Sequence, residues 1–280
     1  MIKSIKTEIR KNLYLPFLLF SVAAFMVLFM MSEAVRGTDG KAYSVFRIIQ
    51  LRKHLRLTSD AAYSWNAVWS AGMGTWVMLI APVILSAGFI FSGAEESSVN
   101  CERFIKIRGN RLRYVSGKVI GGMLSAGFTF ALSYGLYGLL ILPLFPFPGE
   151  FDEVSRETLT FLYGENQFSF VAGRLFGVFL LGIFMSIVPV ILSALISDRY
   201  ILISVPFLGW YFYERLFSKY LFNDFFISHY DYFEAVNMAN LPYVMREKEK
   251  LLALMVFMGS CVACFALYYF LKFGRLSEEK

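Results

Sequence analysis

Gly93–Lys118 reads GAEESSVNCERFIKIRGNRLRYVSGK, with three Glu and six Lys or Arg. Charge-free runs flank it, Ala61 to Ala94 before and Val119 to Gly149 after. Charged side chains are costly in hydrocarbon and collect beyond the ends of membrane helices. A block this polar between two such runs is therefore expected to be the water-exposed connection between two spans.

The rest of the chain agrees. Of its 280 residues 57% are hydrophobic and 17% charged, with a mean hydropathy of +0.56. A soluble domain keeps about a quarter of its residues charged. Aromatics make up 18%, which suits helices facing both acyl chains and headgroups. Crossing the hydrocarbon core takes about 20 apolar residues per helix. Clean runs predict spans at about 13–32, 75–94, 116–142, 172–196, 200–217 and 251–271. The fifth is the shortest: it is clean only from Tyr200 to Tyr213 and reaches 217 if Glu214-Arg215 sits at the interface. The expected fold is all-α, a single six-helix membrane domain. The first apolar run is longer than a signal-peptide core of about 7–15 residues, and no A-x-A site follows it, so it reads as a retained anchor.

Lys and Arg near span ends set orientation. With both termini inside, the inner segments hold 14 Lys/Arg and the outer loops 11, although the inner segments are less than half as long. The Glu150–Glu165 loop, with five acids and one Arg, fits outside; the basic first loop, Glu33 to Gly74, argues the other way. Long loops cross membranes largely regardless of charge.

At the N-terminus Ile2, Ile5, Ile9 and Leu13 share one helical face, and Lys3, Lys6 and Arg10 lie largely off it. This is the pattern of a basic amphipathic helix on the inner leaflet, in contact with membrane lipids. A plain positively charged flank is the alternative. Trp65, Trp69 and Trp76 are spaced 4 and 7 and are expected to mark the outer end of the second span. Pro16, Pro82, Pro189 and Pro206 fall within spans and each is expected to kink its helix. Gly117 and Gly121 form a G-x-x-x-G that permits close helix approach. The aromatic loop Ser218–Lys250 is too polar to span and too apolar to be free, and is expected to cap the bundle or dip into the outer leaflet.

Catalytic and metal motifs are thin. The SGK at Ser116–Lys118 lacks the first glycine of a P-loop, Leu112 standing in its place, so no ATP site is expected on this chain. Cys261 and Cys264 form a C-x-x-C without a second pair, and zinc needs four ligands. Glu95-Glu96 and the Phe225–His229 stretch partly match an intramembrane CAAX-type protease, but Asn100 stands where that pattern has Arg. The orientation also puts the Glu pair and His229 on opposite faces. No catalytic residue, bound cofactor, metal or nucleic-acid partner is expected.

The order of features is more telling. A basic amphipathic N-terminus leads to a span, a large outer loop, a second span and a compact charged inner segment. Two spans, a very short inner turn at SDRY, a fifth span, a hairpin-like outer loop and a last span follow. This resembles the membrane subunit of ABC exporters of the type-2 family over nearly the whole chain. Glu95-Glu96, then CERFIKIRGNRLRYVS and Gly117-Lys118 stand loosely where that family has its coupling helix. The resemblance implies an interfacial N-terminal helix, re-entrant segments before the sixth span, a second permease subunit (identical or paired) and a separate ATP-binding subunit that holds ATP and Mg. It also implies a bacterial cytoplasmic membrane with both termini cytoplasmic. The coupling surface would comprise Glu95, Glu96, Glu102, Arg103, Lys106, Arg108 and Arg111 around Phe104, Ile105 and Ile107. Apolar anchors with a polar rim are the general interface pattern. Amphiphilic cargo such as peptide, lipid or drug is expected from the Met- and Phe-rich interior. The alternative is a polytopic protein without transport activity: an assembly factor, an immunity protein or a sensor partner.

Overall fold

A computed structural model describes residues 2–36, 42–51, 65–98, 110–145, 167–196, 198–221, 237–238 and 247–273. The described elements are α1 (Ile2–Asn12), α2 (Leu15–Met31), a hairpin of β1 (Glu33–Arg36) and β2 (Ala42–Ser44), α3 (Val45–Leu51) and α4 (Trp65–Ala71). After these come α5 (Thr75–Ser98), α6 (Arg111–Ile141), α7 (Gln167–Met185), α8 (Ile187–Ser193), α9 (Arg199–Leu221) and α10 (Glu247–Phe273).

The chain is a largely helical membrane protein. Three stretches are long and apolar enough to cross a membrane among the described residues: Arg111–Ile141, Val171–Ser193 and Leu251–Phe273. The bent pair α1–α2 makes a fourth if counted as one span. Continuous helices also occupy the places expected for the second and fifth spans, α5 with 24 residues and α9 with 23. The small antiparallel hairpin that follows α2 departs from the all-α expectation; Glu33 pairs with Ser44 and Arg36 with Ala42.

The prolines act in three different ways. Pro16 sits in the first turn of α2, where a missing N–H costs nothing. It cannot continue α1, Tyr14 is extended (φ −57°, ψ 127°), and the chain bends by 60° there. So Pro16 starts a helix where a kink within one was expected. Pro189 cannot donate to the carbonyl of Met185, and the span divides into α7 and α8 at Ser186, whose N–H is shared between Gly182 and Ile183 carbonyls. Pro82 and Pro206 stay inside α5 and α9.

α6 is the central helix and packs on α1, α2, α4, α7 and α10. It buries 17 residues between Val115 and Ile141 and leaves one apolar stripe, Phe128, Leu136, Leu139 and Leu140, exposed. Its closest crossing is with α7. A Cβ on Gly182 would lie 2.9 Å from Gly127 Cα, and one on Gly127 would lie 2.7 Å from the Phe179 carbonyl oxygen. Small residues permit this approach, and packing is what associates helices in lipid. One core gathers Phe25, Phe29, Trp69, Phe130, Tyr134 and Tyr137; a second gathers Val119, Val190, Leu202, Phe257 and Tyr268. Apolar side chains of α2 and α10, among them Leu19, Val27, Met258, Val262 and Phe270, face outward.

Candidate functional site

Three places in the bundle carry unusual chemistry: an elbow at the N-terminus, an aromatic clamp and a cavity between helices. The elbow is α1 seated on the first turns of α6. Its buried residues are Glu8 and Asn12. Ser4, Glu8 and Asn12 recur every fourth residue, so they form one stripe. That stripe lies on the small residues of α6: a Cβ on Gly121 would stand 2.7 Å from Glu8 Cβ, and one on Gly117 would collide with Ser4 Oγ. Glu8 Oε2 forms an ion pair with Lys118 Nζ at 3.1 Å, and Glu8 Oε1 lies 3.7 Å from Lys11 Nζ. The G-x-x-x-G thus serves an interface with the N-terminal helix, and its ion pair ties the two helices in register.

Of the amphipathic face, Ile2 is exposed while Ile5, Ile9 and Leu13 are half-buried. Lys3, Lys6 and Arg10 are exposed on the side away from the docked stripe. α1 therefore has three faces: a polar stripe against protein, an apolar face and a basic face. The hydrophobic period drew attention to the Ile face, yet the residues that dock are Ser4, Glu8 and Asn12. Their four-residue spacing opposite a G-x-x-x-G was the available signal.

The same end of the bundle holds the flanks of the expected coupling segment. Glu95 and Glu96 fall on the last turns of α5. Residues 99–109, with Glu102, Arg103, Phe104, Ile105, Lys106, Ile107 and Arg108, lie outside the described residues. Asn110 caps α6, its Oδ1 accepting from Leu112 N–H at 3.0 Å. The Arg111 guanidinium lies 5.4 Å from the Phe273 ring centroid, which brings the end of α10 beside the start of α6. Ser116-Gly117-Lys118 is helical, within α6.

The clamp forms where α4 crosses α6. The Trp65 and Trp69 indoles donate to the Gly138 and Tyr134 carbonyls at 2.8 and 3.2 Å. In return the Tyr134 and Tyr137 hydroxyls donate to the Trp69 and Val68 carbonyls at 2.8 and 3.1 Å. Those carbonyls belong to the last turn of α4, where helix acceptors run short of intrahelical donors, although Val68 also accepts from Gly72 N–H at 3.2 Å. Arg174 from α7, 4% exposed, places its guanidinium 5.2 Å from the Trp69 centroid and 6.0 Å from that of Tyr134. Trp76 lies beyond the Gly72–Gly74 break and is exposed, so the three tryptophans do not share a face. Trp65 and Trp69 are packed inside the protein, whereas the spacing suggested a membrane-boundary position.

The cavity, about 370 Å³, opens between α5, α7–α8, α9 and α10. Pro82 and Pro206 line it, together with Phe184, Met185 and Val188 where α7 gives way to α8. The α9 wall is Gly209, Trp210 and Tyr213; the α10 wall includes Ser260 and Cys264. A Cβ on Gly209 would meet nothing within 4 Å. Trp210 packs on Tyr213 at 5.0 Å and on Phe184 at 6.3 Å between centroids. The Tyr213 hydroxyl accepts from Met238 N–H at 3.0 Å, which ties buried Met238, between α9 and α10, onto the bundle. That contact fits the capping role expected of Ser218–Lys250, of which residues 237–238 and 247–250 and the end of α9 are described. Trp210 Nε1 and Glu214 Oε2 are buried without a hydrogen-bond partner among the described residues. Sequence reading treated Glu214 only as a span boundary.

Cys264 Sγ lies 3.9 Å from the Ile187 carbonyl, and Cys261 and Cys264 are both free thiols. Among the described residues no group of three His, Cys, Asp or Glu could hold a metal ion. His229 lies outside the described residues. Neither the family models nor the curated proteins compared with this sequence match it.

Proposed function

We propose that the chain is the membrane-spanning subunit of an ATP-driven exporter of the type-2 ABC class. It resides in a bacterial cytoplasmic membrane with six spans and both termini inside, α5 and α9 completing the set. Two such subunits, identical or paired, line a path for an amphiphile, and each docks on a separate ATP-binding subunit that holds ATP and Mg. The outward-facing apolar side chains of α2 and α10 suit contact with lipid or with that second subunit.

The observation that carries the reading is the elbow. A separate amphipathic helix, bent 60° from α2, is locked by Glu8–Lys118 onto the helix that follows the charged segment. A push on residues 99–109 would reach α6 directly, and α1 would move with it. The four-residue stripe and the two glycines make that contact rigid. Phe104, Ile105 and Ile107 are the apolar anchors of the docking surface, and Glu95, Glu96 and Arg111 stand at its flanks.

Affinity purification of the full-length chain from its native membrane tests this. The expected result is a co-purifying nucleotide-binding subunit and ATP hydrolysis by the complex. A complex with no such subunit and no hydrolysis refutes the exporter reading and favours a polytopic protein without transport activity.

A further inference from the structure

We infer that the cavity between α5, α7–α8, α9 and α10 is a lateral lipid site that takes up an acyl chain of a membrane phospholipid. The assignment goes beyond the exporter reading and needs neither an ATPase nor a second subunit.

The cavity has a buried floor and an exposed rim. Pro82, Met185, Trp210 and Cys264 are buried at the floor. Val188 of α8, Gly209 of α9, and Ala263 and Leu267 of α10 are exposed at the rim. The cavity therefore opens outward from the bundle, through small and apolar residues. Gly209 keeps that entrance wide, since a Cβ there would meet nothing within 4 Å. Ala263 lies about 18 Å along α10 from Leu251 and about 15 Å from Phe273, at about 1.5 Å per residue. That is the middle of a span, and the hydrocarbon core is about 30 Å thick. What surrounds the rim is acyl chain, with headgroups and bulk water out of reach.

The walls select a neutral, apolar occupant. None of the described residues that line the cavity is charged. Its polar groups are already engaged. The Ser260 hydroxyl donates to the Val256 carbonyl at 2.7 Å, the Cys264 thiol faces the Ile187 carbonyl at 3.9 Å, and the Tyr213 hydroxyl accepts from Met238 N–H. Trp210 Nε1 is buried, so the indole meets the cavity through carbon. A water molecule needs about two to four polar partners, and these walls hold theirs in other bonds. An apolar cavity of about 150 Å³ already stays dry and takes up benzene. This one, about 370 Å³, is more than twice that size. Left empty, its lining atoms would forgo dispersion contacts on one side. An acyl chain enters from the surrounding hydrocarbon, restores those contacts and desolvates no polar group.

The test uses the purified full-length chain in phosphatidylcholine nanodiscs. The probe is a phosphatidylcholine with a photoactivated diazirine at the end of one acyl chain, and adducts are mapped by peptide mass spectrometry. The expected result is labelling of the floor, at Met185 or Cys264, besides that of the outward side chains Met258 and Val262. Paired Gly209→Leu and Ala263→Leu should narrow the rim and remove the floor adducts, while Met258 and Val262 label as before. A second probe, with its diazirine beside the ester carbonyl and so near the headgroups, should leave the floor of the unmodified chain unlabelled. Adducts confined to outward side chains would overturn the assignment and favour a protein segment as the cover. Floor labelling that is equal for the two probes, or unchanged in the paired variant, would also overturn it. If the paired variant fails to fold, the two probes on the unmodified chain still decide. Floor labelling of a chain with no associated ATPase would refute only the exporter reading; an associated ATPase with an unlabelled floor would refute only this site.

Discussion

Replacing Gly121 with Leu should undock the N-terminal helix. A single Cβ at that position already stands 2.7 Å from Glu8 Cβ, 3.4 Å from the Ile5 carbonyl oxygen and 3.6 Å from Ile9 N. Two of those three atoms are backbone, so α1 must shift as a body rather than rotate one side chain. Overpacking of this kind costs about 1–3 kcal/mol. The shift also pulls Glu8 from Lys118, whose side chains are only 10% and 12% exposed. Losing a partly desolvated pair adds about 1 kcal/mol at the low end of such contacts. A total of about 2–4 kcal/mol raises the undocked population roughly 30- to 700-fold. The assay is maleimide labelling of Ser4→Cys in a background free of native cysteines, because Ser4 is covered by Gly117 when α1 is docked. Labelling should accelerate by that factor in Gly121→Leu, since access tracks the open population when closing is fast. Gly259→Leu serves as the control, because a Cβ there meets nothing within 4 Å. Equal labelling rates in Gly121→Leu and the control would refute the docked stripe.

Other consequences are simpler to state. Tyr134→Phe removes the hydroxyl that satisfies the Trp69 carbonyl and should cost about 1–2 kcal/mol, read as a thermal midpoint lowered by a few degrees; an unchanged midpoint would count against the clamp. Gly182→Leu drives a side chain into the backbone of α6 at Gly127 and should cost more than about 3 kcal/mol, so the variant should aggregate on solubilisation, and a monodisperse protein would contradict that crossing. Paired Phe104→Asp and Ile107→Asp should abolish co-purification of the ATP-binding subunit without lowering the amount of chain in the membrane. Retained association would remove the docking role of those anchors.

Much of the architecture was legible because lipid imposes a length rule. Charge-free runs predicted 116–142, 172–196 and 251–271, and helices lie at Arg111–Ile141, Val171–Ser193 and Leu251–Phe273. Backbone signals were subtler. Pro16 and Pro189 look alike in sequence, yet one opens a helix and the other divides a span, because the outcome depends on which carbonyl loses its donor. The tryptophans misled for a related reason. Their spacing assumes an unbroken helix, and the Gly72–Gly74 break separates Trp76 from the other two. Hydrophobic period found the Ile face of α1 but not its docking stripe, since a contact made by Ser4, Glu8 and two glycines carries no apolar signature. Glu214 reads as the end of a span because a hydropathy window registers its charge and not the burial of its Oε2.

The central claim is that the segment after α5 docks on an ATP-binding subunit and works through the α1–α6 elbow. Site-specific photo-cross-linking tests it most directly, with a benzoyl-phenylalanine in place of Phe104 in cells that express the full-length chain at native levels. The account predicts a single dominant adduct to a nucleotide-binding protein, lost when Ile107→Asp is added. Adducts confined to lipid, or to a protein that binds no nucleotide, would contradict it.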